Sequence, residues 1–162
     1  MPAPNTLWSD AEFFITDDRS AVDLDVVHGF LSTSYWSPGI PREVVQRAID
    51  GSLCFSVLQH AQTAPRQVGF ARVISDFATF AYLSDVFVLP THRGRGLSKR
   101  LVEVIKSHPR LQGLRRFCLL TKDAHGLYAQ YGFRPMADPS RYMEIADFDI
   151  YRRAATHMQP HA

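Results

Sequence analysis

Two hydrophobic periods alternate along the chain, and each predicts elements where it holds. Glu12 to Asp17 reads as a short strand. From Ala21 to Leu31, Val22, Val26, Val27 and Phe30 fall at helical spacing. The stretch from Ser32 to Pro41 breaks both periods, and its Pro and Gly mark a loop that carries Tyr35 and Trp36. Pro41 opens the next predicted helix, through about Ile49, with Val44, Val45 and Ala48 inward and Gly51 as the stop.

Three strands follow, Leu53 to Gln59, Gln67 to Ile74 and Thr79 to Val88, the last two joined across Ser75-Asp76-Phe77-Ala78 as a hairpin. A helix is predicted from about Arg93 to Ser107, with Leu97, Leu101, Val104, Ile105 and His108 on one face and Pro109 as the terminator. Arg116 to Leu120 reads as a strand. Ala124 to Tyr131 reads as a short helix closed by Gly132, and Tyr142 to Ile145 as a last strand. About ten residues at the start and the tail from Arg152 to Ala162 read as irregular, so fraying is expected there. This order predicts a mixed sheet with helices packed on it, in one domain of 162 residues.

Composition narrows the partners. Hydrophobic residues make up 46% and charged residues 21%, as in a folded soluble protein. Eighteen Lys and Arg against sixteen Asp and Glu leave a net charge of only +2, which argues against nucleic acid or an anionic membrane. No apolar stretch is long enough to span a bilayer. Met1-Pro2-Ala3-Pro4 lacks the features of a secretory signal, so a cytoplasmic location is expected. Cys54 and Cys118 sit in separate apolar runs and are expected to be reduced thiols. The histidines show no metal-ligand spacing, so no metal is predicted.

One local feature stands out against this neutral background. Arg93, Arg95, Lys99 and Arg100 fall within eight positions, where a predicted strand runs through Arg93-Gly94-Arg95-Gly96 into a helix. The first turn of a helix has unsatisfied N–H groups and the positive end of its dipole, and glycines allow close approach, so the turn is suited to an anion. It is neither a P-loop nor the dinucleotide fingerprint. Taken alone it is equally a tight turn with a solvated basic face. An RNA-binding reading of the Arg-Gly run is poor at so small a net charge.

The segment resembles the coenzyme A signature of the GNAT superfamily of N-acetyltransferases, Arg/Gln-x-x-Gly-x-Gly/Ala. Arg93 stands at the first position, Gly96 at the fourth and Ser98 at the sixth, where Gly or Ala is usual. Val86-Phe87-Val88 is similar to the family's strand whose backbone pairs with the pantetheine arm. A second element, Asn-x-x-Ala-x-x-Leu-Tyr-x-x-x-Gly-Phe, is matched by Ala124, Leu127, Tyr128, Gly132 and Phe133, with Thr121 in place of Asn. On residues alone, Tyr128 and Tyr131 are also ordinary core aromatics.

The resemblance implies an α/β (α+β) fold with a mixed, mostly antiparallel central sheet flanked by helices. It implies acetyl-CoA as co-substrate, held by Val86, Phe87, Val88, Arg93, Gly94, Arg95, Gly96, Leu97, Ser98 and Lys99. The activity implied is direct transfer of an acetyl group to a primary amine in a ternary complex. Tyr128 matches the family's acid for the departing thiolate. Relatives often place a Glu base where Ser84 stands; Asp85 is adjacent but alternation sends it to the opposite face, unless the strand is distorted. Asp85 is therefore the candidate base, with a loop anchor as its other reading. Tyr35, Trp36, Arg72, Phe80 and Tyr82 are the expected walls of the acceptor pocket. A homodimer is left open, and so is a second function, a non-catalytic acyl-CoA sensor of the same fold.

Overall fold

The computed structural model describes residues 5–157. Six strands form one sheet, β1 (Thr6–Ser9), β2 (Phe13–Thr16), β3 (Leu53–Gln59), β4 (Arg66–Ser75), β5 (Phe80–Val88) and β6 (Arg116–Leu119), in spatial order β1 to β6. All neighbours are antiparallel except β5 and β6, which run parallel. The helices are α1 (Leu24–Leu31), α2 (Arg42–Asp50), α3 (Leu97–Ser107), α4 (His125–Ala129) and α5 (Ile150–His157). This is the predicted mixed, mostly antiparallel sheet with flanking helices.

Alternation along the strands divides the core between the two sheet faces. Phe13, Ile15, Phe55, Val57, Val73 and Leu83 face α3, where Leu101, Val102 and Ile105 are fully buried. Cys54, Phe70 and Phe87 face the other way, against Val27, Leu31, Val45 and Ile49 of α1 and α2. Cys54 and Cys118 are free thiols, and burial pushes the Cys54 thiol up to about 11.

Helix boundaries follow local chemistry that periodicity does not carry. α1 starts three residues later than predicted because the Asp23 carboxylate accepts the N–H groups of Asp25 and Val26 as an N-cap. α3 starts at Leu97 rather than Arg93, because Gly94 and Gly96 hold φ of +78° and +75° and stop the helix from extending backwards.

Three predictions are corrected at the ends of the described chain. The stretch expected to be irregular contains β1, whose Thr6 and Trp8 pair with Thr16 and Ile15 while the Arg100 guanidinium covers the Trp8 ring at 5.0 Å. Four residues with one large inward side chain are too short to show a period. The expected tail from Arg152 is helical from Ile150, held where Tyr151 packs on the α1–α2 core; residues 1–4 and 158–162, also expected to fray, lie outside the described residues. Finally, Tyr142 to Ile145 forms no strand. Its alternation suits one, but a strand also needs a ladder, and the segment has none among the described residues.

A buried polar contact ties the two ends of the sheet–helix unit together. His108, just past α3, is 5% exposed, and its Nε2 lies 3.0 Å from Asp17 Oδ2, beyond β2. The Arg110 N–H donates to His108 Nδ1 at 3.2 Å, so that nitrogen is an acceptor and the ring proton sits on Nε2, donated to Asp17. Asp17 Oδ1 is buried with no partner among the described residues, so the histidine is this carboxylate's main compensation. His108→Ala should therefore cost about 3 kcal/mol, more than its ring packing against Phe55 alone would account for. Urea titration of the variant checks this, and Asp17→Asn in the same background should restore part of the loss.

Candidate functional site

The site begins with a defect in β5. The β4–β5 register shifts between Phe70 and Arg72: Phe70 stands opposite Phe87 but Arg72 opposite Ser84, so Asp85 and Val86 form a bulge. Asp85 takes φ +54°, a left-handed conformation uncommon outside glycine, and its side chain is turned from where plain alternation would send it. Close packing fixes the neighbouring strand, since a Cβ on Gly69 would stand 3.0 Å from the Phe87 carbonyl oxygen and from Val57 Cγ2.

The bulge gives Asp85 its partners. Its carboxylate accepts the Arg72 Nε–H at 2.5 Å and the Trp36 indole N–H at 2.9 Å. The Asp85 side chain is 7% exposed and that of Arg72 is 17%. Arg72 also donates to Ser52 Oγ at 3.2 Å. Trp36 reaches in from the α1–α2 loop, edge-on to Tyr35 at 5.0 Å, while Phe30 bridges it to Phe87 by stacking on the latter at 4.0 Å. Sequence reasoning missed Phe30, Ser52 and Lys122. Only Phe30 had a readable signal, an aromatic at the end of the first helical stripe.

A second consequence lies at the sheet's fork. β6 pairs with β5 only from Phe80↔Arg116 to Leu83↔Leu119. Beyond Leu83 the two parallel strands separate, and among the described residues no strand lies beside the β6-facing edge of Ser84 to Val88. Peptide groups along that edge are available to an extended, amide-bearing chain.

The turn after β5 lies at the end of this edge. α3 starts from Gly96 with no side-chain cap, so the first-turn N–H groups of Leu97, Ser98 and Lys99 have no intrahelical acceptor. An added Cβ at Gly94 or Gly96 would meet nothing within 4 Å, so the space in front of the turn is open. Glycine is required here by the φ values, and the openness permits an anion to approach. Arg93 donates through Nε to the Val88 carbonyl at 3.1 Å, tying the turn to the strand end. Lys99 is exposed with no ion-pair partner among the described residues.

Arg95 pairs with Glu12 at 3.0 Å and lies over the Phe13 ring, with both side chains of the ion pair still exposed. The Leu97 side chain is in the core, which leaves only its N–H for a ligand. The side chains of Val86, Phe87 and Val88 also pack into the two core clusters, so these residues face the fork by backbone alone.

α4 carries Tyr128, which packs into the α3-side core and edge-on to Phe133. Thr121 Oγ1 accepts the Ala124 N–H at 3.0 Å and sets the helix start, which commits the hydroxyl that stands where Asn is common. Tyr128 is 8% exposed, and its hydroxyl has no hydrogen-bond partner among the described residues. Burial, with smaller effects from Tyr35 and Asp123, pushes it up to about 12. Tyr35 stands by, its own hydroxyl accepting the Lys122 N–H at 3.4 Å.

Tyr128, Tyr35, Trp36, Asp85 and Arg72 thus form one connected group. Tyr82 joins it, half-buried and raised above the usual phenol range by burial first, then by Cys118, Tyr142 and Asp85. Phe80 stands apart at the far end of β5, about 17 Å from Asp85 at ordinary strand rise. Its side chain is exposed there. Among the described residues no His, Cys, Asp and Glu cluster could hold a metal ion, and no helix is long and apolar enough to cross a membrane.

Comparison with known proteins meets the same residues. The family model described as an acetyltransferase (GNAT) domain matches residues 51–135, just over half of the 162. The chain is 29% identical over 142 residues to the Gibberella zeae protein named "Putative acetyltransferase FG08082", covering 76% of this chain and 79% of the relative. The crystal structure of xcc2953 from Xanthomonas campestris pv. campestris, described as belonging to the GNAT family, superposes with a TM-score of 0.81 at 52% identity, covering 88% of this chain and 99% of that one. A Clostridium acetobutylicum protein whose structure was determined with acetyl-CoA shares the fold at a TM-score of 0.58 and 14% identity, over 83% of this chain and 94% of its own.

Proposed function

Because this chain belongs to the GNAT acetyltransferase family, we propose that it transfers an acetyl group from acetyl-CoA to a primary amine by direct attack in a ternary complex. The observation that carries this reading is the fork between β5 and β6, whose free β5 edge ends at an open glycine turn.

The residues present fit the co-substrate. The N–H groups at the start of α3 and the Lys99 ammonium suit a pyrophosphate. The free edge of Ser84 to Val88 suits an extended arm with alternating amide donors and acceptors. The same family fold holds acetyl-CoA in the Clostridium protein, which supports the assignment without locating any atom here.

In the reaction, the amine nitrogen attacks the thioester carbon and the carbon–sulfur bond breaks. Backbone N–H groups on the open edge of Asp85 to Val88 stabilise the oxygen that gains charge. The Tyr128 hydroxyl gives its proton to the departing sulfur and regains one from solvent. A phenol held up to about 12 stays protonated at neutral pH, as an acid must.

Asp85 takes a different part from the base expected from its position. Its carboxylate already accepts from Arg72 and Trp36 inside a nearly closed site. Asp85 is a positioning residue that pins the Trp36 loop beside the open strand edge, and the amine proton leaves through water at the mouth. Tyr35, Trp36 and Tyr82 line the acceptor side, backed by the Arg72–Asp85 pair.

A panel of primary amines incubated with acetyl-CoA, read by release of free thiol, tests the activity. Amine-dependent release at substoichiometric protein supports it. Tight acetyl-CoA binding with no turnover on any amine would shift the protein to acyl-CoA sensing, and absence of binding would overturn both.

The turn has its own test. Gly96→Ala places a Cβ in the left-handed region, at a cost of about 1–2 kcal/mol, and projects it into the open space in front of the turn. Coenzyme A affinity measured by calorimetry should fall about tenfold or more, while the melting temperature drops by only about 2–8 °C. Unchanged affinity in the folded variant would move the anion site elsewhere.

A further inference from the structure

The sheet face that carries the acceptor side is only partly covered by helices. On this face the apolar cluster under α1 and α2 takes in Cys54, Phe70 and Phe87 but none of Ile74, Phe80 and Tyr82. By alternation those three continue along β4 and β5 on the side where Arg72 lies. The register joins them across the sheet: Arg72 stands opposite Ser84, Ile74 opposite Tyr82, Tyr82 opposite Cys118, and Phe80 opposite Arg116. Ile74 is 42% exposed and Phe80 40%, while Tyr82 and Cys118 are half-buried. Tyr142 flanks the row, close enough to Cys118 and Tyr82 for their charges to couple. An apolar track therefore leads away from the Trp36 loop, and from Ser84 to Phe80 it runs about 13 Å at ordinary strand rise.

The two ends of the track differ in charge. At the near end Arg72 and Asp85 neutralise each other. At the far end Arg116 is exposed on the Cys118 side of β6, where burial raises the Cys118 thiol and the Arg116 charge lowers it. Arg116 has no ion-pair partner among the described residues. The nearby carboxylates are already engaged. Asp76 accepts the N–H groups of Ala78, Thr79 and Phe80 and the Thr79 hydroxyl, and Glu144 accepts the Tyr142 hydroxyl at 3.1 Å.

We propose that the acceptor is an elongated primary amine with an apolar body and an anionic far end, its body lying on Ile74, Tyr82 and Phe80 and its anion at Arg116. The proposal rests on the acetyl-transfer reading and names the class of amine for it. An apolar body takes water off rings that the chain otherwise leaves exposed. A short amine leaves the track bare, and a diamine of the same length brings a second cation to Arg116, so both are discriminated against.

Calorimetric titration of the coenzyme A-saturated protein with hexylamine, undecylamine, ω-aminoundecanoate and the ω-diamine of equal length tests this. Undecylamine should bind at least tenfold more tightly than hexylamine, since each methylene laid on apolar surface contributes up to about fourfold. The amino acid should bind about threefold or more above undecylamine, and the diamine below it. Arg116→Glu should reverse that order and favour the diamine. The Arg116 side chain is exposed, so the circular dichroism of the variant should match the wild type; if the variant fails to fold, the wild-type order decides alone. Equal affinities for the four amines, or an order that Arg116→Glu leaves as it was, would overturn the proposal. The titration needs no turnover. The expected order without thiol release from acetyl-CoA would sink acetyl transfer and keep the binding track, whereas thiol release as fast with hexylamine as with ω-aminoundecanoate would keep acetyl transfer and sink the track.

Discussion

Tyr128→Phe is expected to slow acetyl transfer by roughly ten- to a thousandfold, the usual range for loss of a general acid. The ring and its edge contact with Phe133 remain, and the hydroxyl makes no hydrogen bond among the described residues, so stability should change by less than about 1 kcal/mol. Acetyl-CoA affinity should be nearly unchanged, because the turn and the strand edge are untouched. Single-turnover transfer to an amine found in the screen measures the effect, and equal rates would remove Tyr128 from the mechanism. The pH dependence of folding gives a second readout. The folded state holds this proton up to about 12, whereas an unfolded tyrosine releases it near 10. More protons are bound when folded, so Tyr128's contribution is complete below about pH 10 and is lost as pH rises toward 12. The Phe variant should lack that part of the alkaline loss.

The largest stability effect is expected at Asp85. Asp85→Ala leaves the Arg72 guanidinium mostly buried without its carboxylate and frees the Trp36 indole, so the domain should lose about 3–5 kcal/mol in urea titration. Arg72→Met in the same chain removes the stranded charge, and the double variant should be more stable than the sum of the single losses predicts. Role and stability separate in Asp85→Asn, which keeps an acceptor for Trp36. A positioning residue predicts a pH–rate profile of wild-type shape with a modest fall in rate. Loss of the profile's acidic limb would instead make Asp85 the base.

The sequence and the structure agree most where periodicity and local chemistry coincide. β3 is predicted to the residue, and β4 and β5 to within one, because each is a long run of strand-forming residues bounded by turn signals. The glycine turn was readable as a helix start suited to an anion, whereas Tyr128 was singled out only by the resemblance to the family's second element, since on residues alone it is an ordinary core aromatic. The Arg72–Asp85–Trp36 contact was not readable as a unit. It joins residues 49 and 13 positions apart and depends on a bulge, which shifts the alternation rule from one residue to the next. The Arg95 contact was hidden for a related reason: proximity in sequence to the turn says nothing about which neighbour its long side chain finds, and Glu12 lies 83 positions away. Tyr142 to Ile145 shows the opposite limit. Alternation reports which side chains would share a face, but cannot supply the partner that makes a strand.

The parallel junction of β5 and β6 also sets how the molecule breathes. The β3–β4 and β4–β5 hairpins close across short loops and hold seven and six residue pairs, whereas β6 is reached only by way of α3 and then joins through four. That ladder is cheaper to open than either hairpin, and the opening runs along the line where the fork already begins. A molecule lying in the fork with hydrogen bonds to β5 on one side and contacts to α4 on the other would bridge the weak seam. Co-substrate and fold are then coupled through hydrogen exchange: amide protons of Arg116 to Leu119 should be among the sheet's earliest to exchange in the free protein and should slow the most once the fork is filled.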